Sequence, residues 1–123
     1  MAKKVLIIED SKTDANIVRD LLTKEGIEVT VATDGADGIK KAQTIRPDLI
    51  ILDLVLPDIG GYEVCSRIKK NVSLKKSLVI ILSVKDDIAD ITRAFHEGAD
   101  DYIIKPPSPD FLVRKLKLYL GIR

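Results

Sequence analysis

Short apolar runs recur along this 123-residue chain, each separated from the next by a segment with the period of an amphipathic helix. The runs are rich in Val, Ile and Leu and alternate little, the pattern of strands covered by helices on both faces. Strand and helix signals taking turns predict repeated βα units and a parallel sheet. Strands are expected near residues 4–8, 28–32, 48–52, 78–83 and 101–104. Five such units predict a single α/β domain over 1–123, with a five-stranded doubly wound sheet in the order 2-1-3-4-5 and five helices.

The helices are placed by period and by stop signals. The first runs from about Thr13 to Glu25, with Ile17, Val18, Leu21 and Leu22 as its stripe and Gly26 positioned to end it. The second spans about Ala36 to Thr44 and stops ahead of Arg46-Pro47. The third starts near Gly61-Tyr62 and puts Val64, Cys65 and Ile68 on one side. The fourth carries Ile88, Ile91 and Phe95 as a stripe with Gly98 as its stop, leaving His96 on the outer side. The last begins near Pro109 and packs Leu112, Val113, Leu116 and Leu120, with Arg114, Lys115 and Lys117 outward.

Composition removes several classes of function. Hydrophobic residues make up 46% and charged residues 32%, and the net charge of +1 gives no electrostatic case for nucleic acid or an acidic membrane surface. The basic clusters Lys69-Lys70, Lys75-Lys76 and Arg114-Lys115-Lys117 read as solvated helix ends and faces. Cys65 is the only cysteine, so there is no disulfide framework and no thiolate metal site; it reads as a small buried hydrophobe. No apolar stretch approaches the ~20 residues of a membrane span, and the N-terminus has no signal-peptide pattern, so a cytoplasmic location is expected.

Four of the runs end at a polar residue of a different kind. Val5 to Ile8 meets Glu9-Asp10, Leu49 to Leu52 meets Asp53, Leu78 to Leu82 meets Ser83, and Tyr102 to Ile104 meets Lys105. Parallel strands would bring all of these to one sheet edge, where open α/β sheets bind ligands. Three crowded carboxylates disfavour one another's ionisation unless a cation joins them. Oxygen donors without His or Cys select Mg²⁺. A lysine can neutralise a phosphoryl oxygen as a point charge, and a serine can donate one hydrogen bond to another. Asp53 has the position of a nucleophile that could form an acyl phosphate; a plain metal site without transfer is the other reading of these residues.

Glu9-Asp10, Asp53 followed by Leu56-Pro57-Asp58-Ile59-Gly60-Gly61-Tyr62-Glu63, Ser83, and Gly98-Ala99-Asp100-Asp101-Tyr102 leading to Lys105-Pro106 together resemble a response-regulator receiver domain of two-component signalling. The resemblance covers essentially the whole chain. It implies a flavodoxin-like fold and phosphorylation of Asp53 by a sensor histidine kinase or histidine phosphotransfer protein. It implies Mg²⁺ held by Asp10, Asp53 and the Val55 carbonyl, with Glu9 acting largely through water. Ser83 and Lys105 would bind the phosphoryl group, and Tyr102 matches the family's switch aromatic. On phosphorylation Ser83 and Tyr102 would move inward and remodel the surface of the fourth helix, fifth strand and fifth helix, controlling a downstream target or tethered output domain. Lys105-Pro106 matches a cis peptide of the family.

The chain also departs from the family. Val84 is bulkier than the alanine or glycine often found after the hydroxyl residue, and could narrow access to Asp53. Val55 and Lys85 match positions that influence loss of the phosphoryl group, and Val55 cannot orient an attacking water; a long-lived phosphoaspartate is expected. Pro107 stands where many relatives have an aromatic. The expected product is a signal, so the chain reads as a phosphoacceptor regulator and not as an enzyme. No direct contact with nucleic acid or membrane is expected, and both a monomer and a phosphorylation-linked dimer fit. A phosphorylation-independent pseudo-receiver is the alternative, and a small-molecule phosphatase would need a substrate cap or a further acid–base group that the sequence does not supply.

Overall fold

In the computed structural model, which describes residues 2–123, the apolar runs pair side by side as five parallel strands. These are β1 (Lys4–Ile8), β2 (Glu28–Ala32), β3 (Leu49–Leu52), β4 (Leu78–Ser83) and β5 (Asp101–Ile104), in the order β2-β1-β3-β4-β5. Helices α1 (Lys12–Thr23), α2 (Gly35–Ile45), α3 (Gly61–Lys70), α4 (Ile88–His96) and α5 (Pro109–Leu120) alternate with them, and Val72–Leu74 forms a single 3₁₀ turn. The arrangement is the five-unit, flavodoxin-like one expected from the sequence.

Alternation along each strand divides the core in two. Leu6, Ile8, Ile50, Leu52, Val79 and Ile81 face Ala42 of α2, Val64, Cys65 and Ile68 of α3, and Ala94 of α4. Val5, Ile7, Leu49, Ile51, Ile80 and Leu82 face Ala15, Val18 and Leu22 of α1 and Leu112, Leu116 and Leu120 of α5. Each such Leu or Ile contributes about 1.5–3 kcal/mol relative to leaving it in water. The central strands therefore cannot slip without moving both layers, and that fixes where their polar ends emerge.

Helices α1, α2 and α5 start where a side chain satisfies a free backbone donor. Ser11 accepts from the Asp14 N–H at 3.2 Å, Asp34 from the Asp37 N–H at 2.7 Å, and Ser108 from the Phe111 N–H at 3.4 Å. α2 ends with Arg46 in the left-handed region at φ 50°, just before Pro47. Gly61 opens α3 against the Asp53 carbonyl, where an added Cβ would lie 2.6 Å from that oxygen. Among the described residues no helix is long and apolar enough to cross a membrane.

Some expected faces turned. In α4 the stripe of Ile88, Ile91 and Phe95 is not the core face: Ile88 is 83% and Phe95 45% exposed, and Ala94 is the buried residue. α4 lies on the sheet by its smallest side chain, which swings the large residues onto the surface beside His96. In α1 the buried face is Ala15, Val18 and Leu22, which leaves Ile17 exposed. In α5 Val113 is only half-buried. Lys115 and Lys117 are tied down by Asp101 at 3.0 Å and Glu25 at 2.8 Å, so neither is simply solvated.

Candidate functional site

Backbone pairing carries the ladders one residue past the strands. Ile8 pairs with Leu52, and the Asp53 N–H donates to the Ile8 carbonyl at 3.0 Å. On the other side of β1, the Glu9 N–H donates to the Ala32 carbonyl at 2.9 Å. Ser83 pairs with Ile104, and the Lys105 N–H donates to the Ser83 carbonyl at 2.8 Å. Four polar residues thus have backbones as fixed as those of the strands they extend.

Their side chains meet at the carboxyl edge. One carboxylate oxygen from each of Glu9, Asp10 and Asp53 lies within 4.8 Å of the other two. Glu9 and Asp53 are buried and Asp10 is exposed. The Lys105 ammonium reaches over from β5 and donates to Glu9, to Asp53 Oδ2 at 3.2 Å and to Asp14 Oδ2 at 2.9 Å. The Lys105–Pro106 peptide is cis.

Burial pushes the Glu9 carboxyl up to about 7 against its hydrogen bond with Lys105, and the nearby Asp53 charge adds to the push. Burial also opposes the charge on Lys105. Its hydrogen bonds to Glu9 and Asp14, together with the Asp53 charge, outweigh that and hold the ammonium above the ordinary lysine range. The two directions share one cause: three carboxylates face a single ammonium. Lysine keeps its proton, and the most buried acid is the one whose ionisation the surplus negative charge disfavours. Surplus negative charge on hard oxygens, with no nitrogen or sulfur donor in the cluster, suits a divalent cation.

Around this cluster, Ser83 is fully buried and its Oγ accepts the Lys85 N–H at 3.4 Å. Val84 and Val55 project outward, 65% and 51% exposed. The Val55 N–H donates to Asp53 Oδ1 at 3.2 Å, which fixes the carboxylate from the loop side. Tyr102 is half-buried against the α2–α4 layer, and its hydroxyl donates to the Lys85 carbonyl at 2.6 Å. The Lys85 ammonium lies 5.7 Å from the centre of the Tyr62 ring.

Sequence reading missed three contributors. Asp58, quoted only as part of a motif, accepts from the Gly35 N–H at 2.7 Å and the Ala36 N–H at 2.9 Å, pinning the loop after Asp53 to the start of α2. Those backbone donors, Ala36 first, hold its carboxyl below the usual aspartate range. Tyr62 donates to Asp90 at 3.0 Å while Arg93 stacks 4.1 Å from its ring, so α3 grips α4 beside the Ser83 loop. Asp14 carried no signal at all: it reads as an ordinary acid in a first helical turn, and only the fold brings it to Lys105.

Comparison with known proteins agrees with this geometry. The model of the response regulator receiver domain matches residues 5–117. Protein PilG of Pseudomonas aeruginosa is 37% identical over 95% of this chain and 87% of its own length. The alkaline phosphatase synthesis transcriptional regulatory protein PhoP of Bacillus subtilis is 35% identical over 98% of this chain, which spans only 49% of that protein. A solved CheY-like response regulator receiver domain protein from Methanospirillum hungatei superposes with a TM-score of 0.92 at 27% identity, covering 98% of this chain and 95% of its own.

Proposed function

This chain belongs to the response regulator receiver domain family, whose members are switches rather than classical enzymes, and from that premise we propose that Asp53 is its phosphoacceptor. The observation that carries the reading is the placement of Asp53: a buried carboxylate held at once by the Val55 N–H and the Lys105 ammonium, beside two further acids. An Asp53 oxygen forms a bond to phosphorus as the bond to the donor breaks. With a phosphohistidine donor the imidazole leaves and takes up a proton from solvent.

Mg²⁺ fits the oxygen-only donor set, held by Asp10, Asp53, the Val55 carbonyl and, through water, Glu9. When bound it would offset negative charge on the transferring group. Lys105 offers the same group a fixed positive charge, and Ser83 a hydroxyl from the neighbouring strand. The donor is a histidine kinase or histidine phosphotransfer protein. The output is a downstream protein or tethered domain that reads the face of α4, β5 and α5. Tyr102 lies at that face with its hydroxyl on the Lys85 carbonyl, and inward movement of Ser83 and Tyr102 on phosphorylation remodels it.

Intact-protein mass after incubation with acetyl phosphate and Mg²⁺ tests the reading. One added phosphoryl group is expected on the wild type, and none on Asp53→Asn or when Mg²⁺ is chelated. No adduct on the wild type, with beryllofluoride and Mg²⁺ also failing to bind, would make the chain a constitutive docking module. Exposed Val55 leaves no polar side chain there to orient an attacking water. The phosphoaspartate is therefore long-lived, and Val55→Asn should shorten its half-time severalfold; an unchanged half-time would remove Val55 from the account.

A further inference from the structure

An ammonium has three N–H donors and no acceptor. In this structure Lys105 gives all three to carboxylates, on Glu9, Asp14 and Asp53. If Lys105 is to bind a phosphoryl oxygen, as the reading above requires, one of these three must let go. The three are not equally able to do so. The Glu9 side chain is 6% exposed and also accepts the Ser11 N–H at 3.2 Å. The Asp53 side chain is 10% exposed and also accepts the Val55 N–H. The Asp14 side chain is 45% exposed, and its only hydrogen bond from a side chain is the one from Lys105. Releasing it returns a carboxylate to water and leaves nothing buried without a partner.

We propose that Asp14 is a placeholder counter-ion: it occupies the Lys105 donor that the phosphoryl oxygen must take, and it is displaced into solvent when that group arrives. Its place suits the role. Asp14 stands on the first turn of α1, at the mouth of a cleft of about 310 Å³ that runs from Lys105 between α1 and the Pro106-Pro107 loop and is otherwise largely apolar. The main chain of Asp14 is held by the Ser11 cap, so only its side chain need move. Asp14 thereby sets how readily an anionic donor engages the site without itself touching the reacting atoms, which makes it a positioning residue.

The test compares wild type with Asp14→Asn and Asp14→Glu in three measurements: beryllofluoride affinity with Mg²⁺, the rate of phosphorylation by acetyl phosphate, and proton exchange of the Lys105 ammonium in metal-free protein. Asp14→Asn should tighten beryllofluoride binding and speed phosphorylation by roughly twofold to fivefold, the range a partly exposed ion pair supplies. Its Lys105 ammonium protons should exchange faster, and Asp14→Glu should stay nearer to wild type in each respect. The gain from Asp14→Asn should survive in 500 mM salt, because a pair made to a buried ammonium is weakly screened. A gain that vanishes in high salt would reduce Asp14 to a surface charge repelling anions, and unchanged ammonium exchange would show that it does not hold Lys105; either result overturns the proposal. A wild type that takes up neither beryllofluoride nor phosphate would instead overturn the phosphoacceptor reading.

Discussion

Helices α3 and α4 follow neighbouring strands that supply Asp53 and Ser83, and both are short and amphipathic, yet they are anchored very differently. α3 buries Val64, Cys65 and Ile68 completely and starts with Gly61 packed against the backbone of Leu54. α4 buries Ala94 alone and leaves Ile88 and Phe95 exposed. One helix is bolted to the sheet and the other rests on it, held through Tyr62, Asp90 and Arg93. An element with little buried apolar surface sits at the low-stability end of a fold, where small changes in interaction can shift it. The contrast puts the rigid helix beside the Asp53 loop and the yielding one beside Ser83 and Tyr102.

The largest effect that could break this contrast is Ile68→Ala in α3, expected to cost about 2–5 kcal/mol in urea unfolding because the cavity would open in a packed layer. A cost below about 1 kcal/mol would mean that α3 is no better anchored than α4. Tyr102→Phe comes next. It removes the bond to the Lys85 carbonyl and should lower stability by about 0.5–1.5 kcal/mol, with faster amide exchange confined to residues 84–96. Exchange that rises equally in α3 would show the two helices to be one unit. The smallest effect is expected for Phe95→Ala, within about 0.5 kcal/mol, since the ring lies at the surface outside the packed layers. A large loss there would show that α4 is held by its outer stripe after all.

The same contrast explains which parts of the molecule could be read from the chain. Strands buried on both faces must be continuous apolar runs, so β1, β3 and β4 announced themselves, and the first polar residue after each had to emerge at one edge. The sheet order, the acid cluster at Glu9, Asp10 and Asp53, and the reach of Lys105 follow from that rule together with the family pattern. The α3 face was legible because Val64, Cys65 and Ile68 are large enough to decide which side packs.

What the sequence by itself determined, then, is the set of strands and the inventory of polar groups at their ends, because both are written in local composition and period. Only the tertiary structure decided how α4 is rotated, since a helical stripe defines a face without saying what lies beneath it, and the shallow surface there accepts Ala94 in place of Ile88 and Phe95. It alone also decided that Asp14 meets Lys105. The two lie 91 residues apart, and no local rule connects them until the first helix and the last strand are packed against the same sheet.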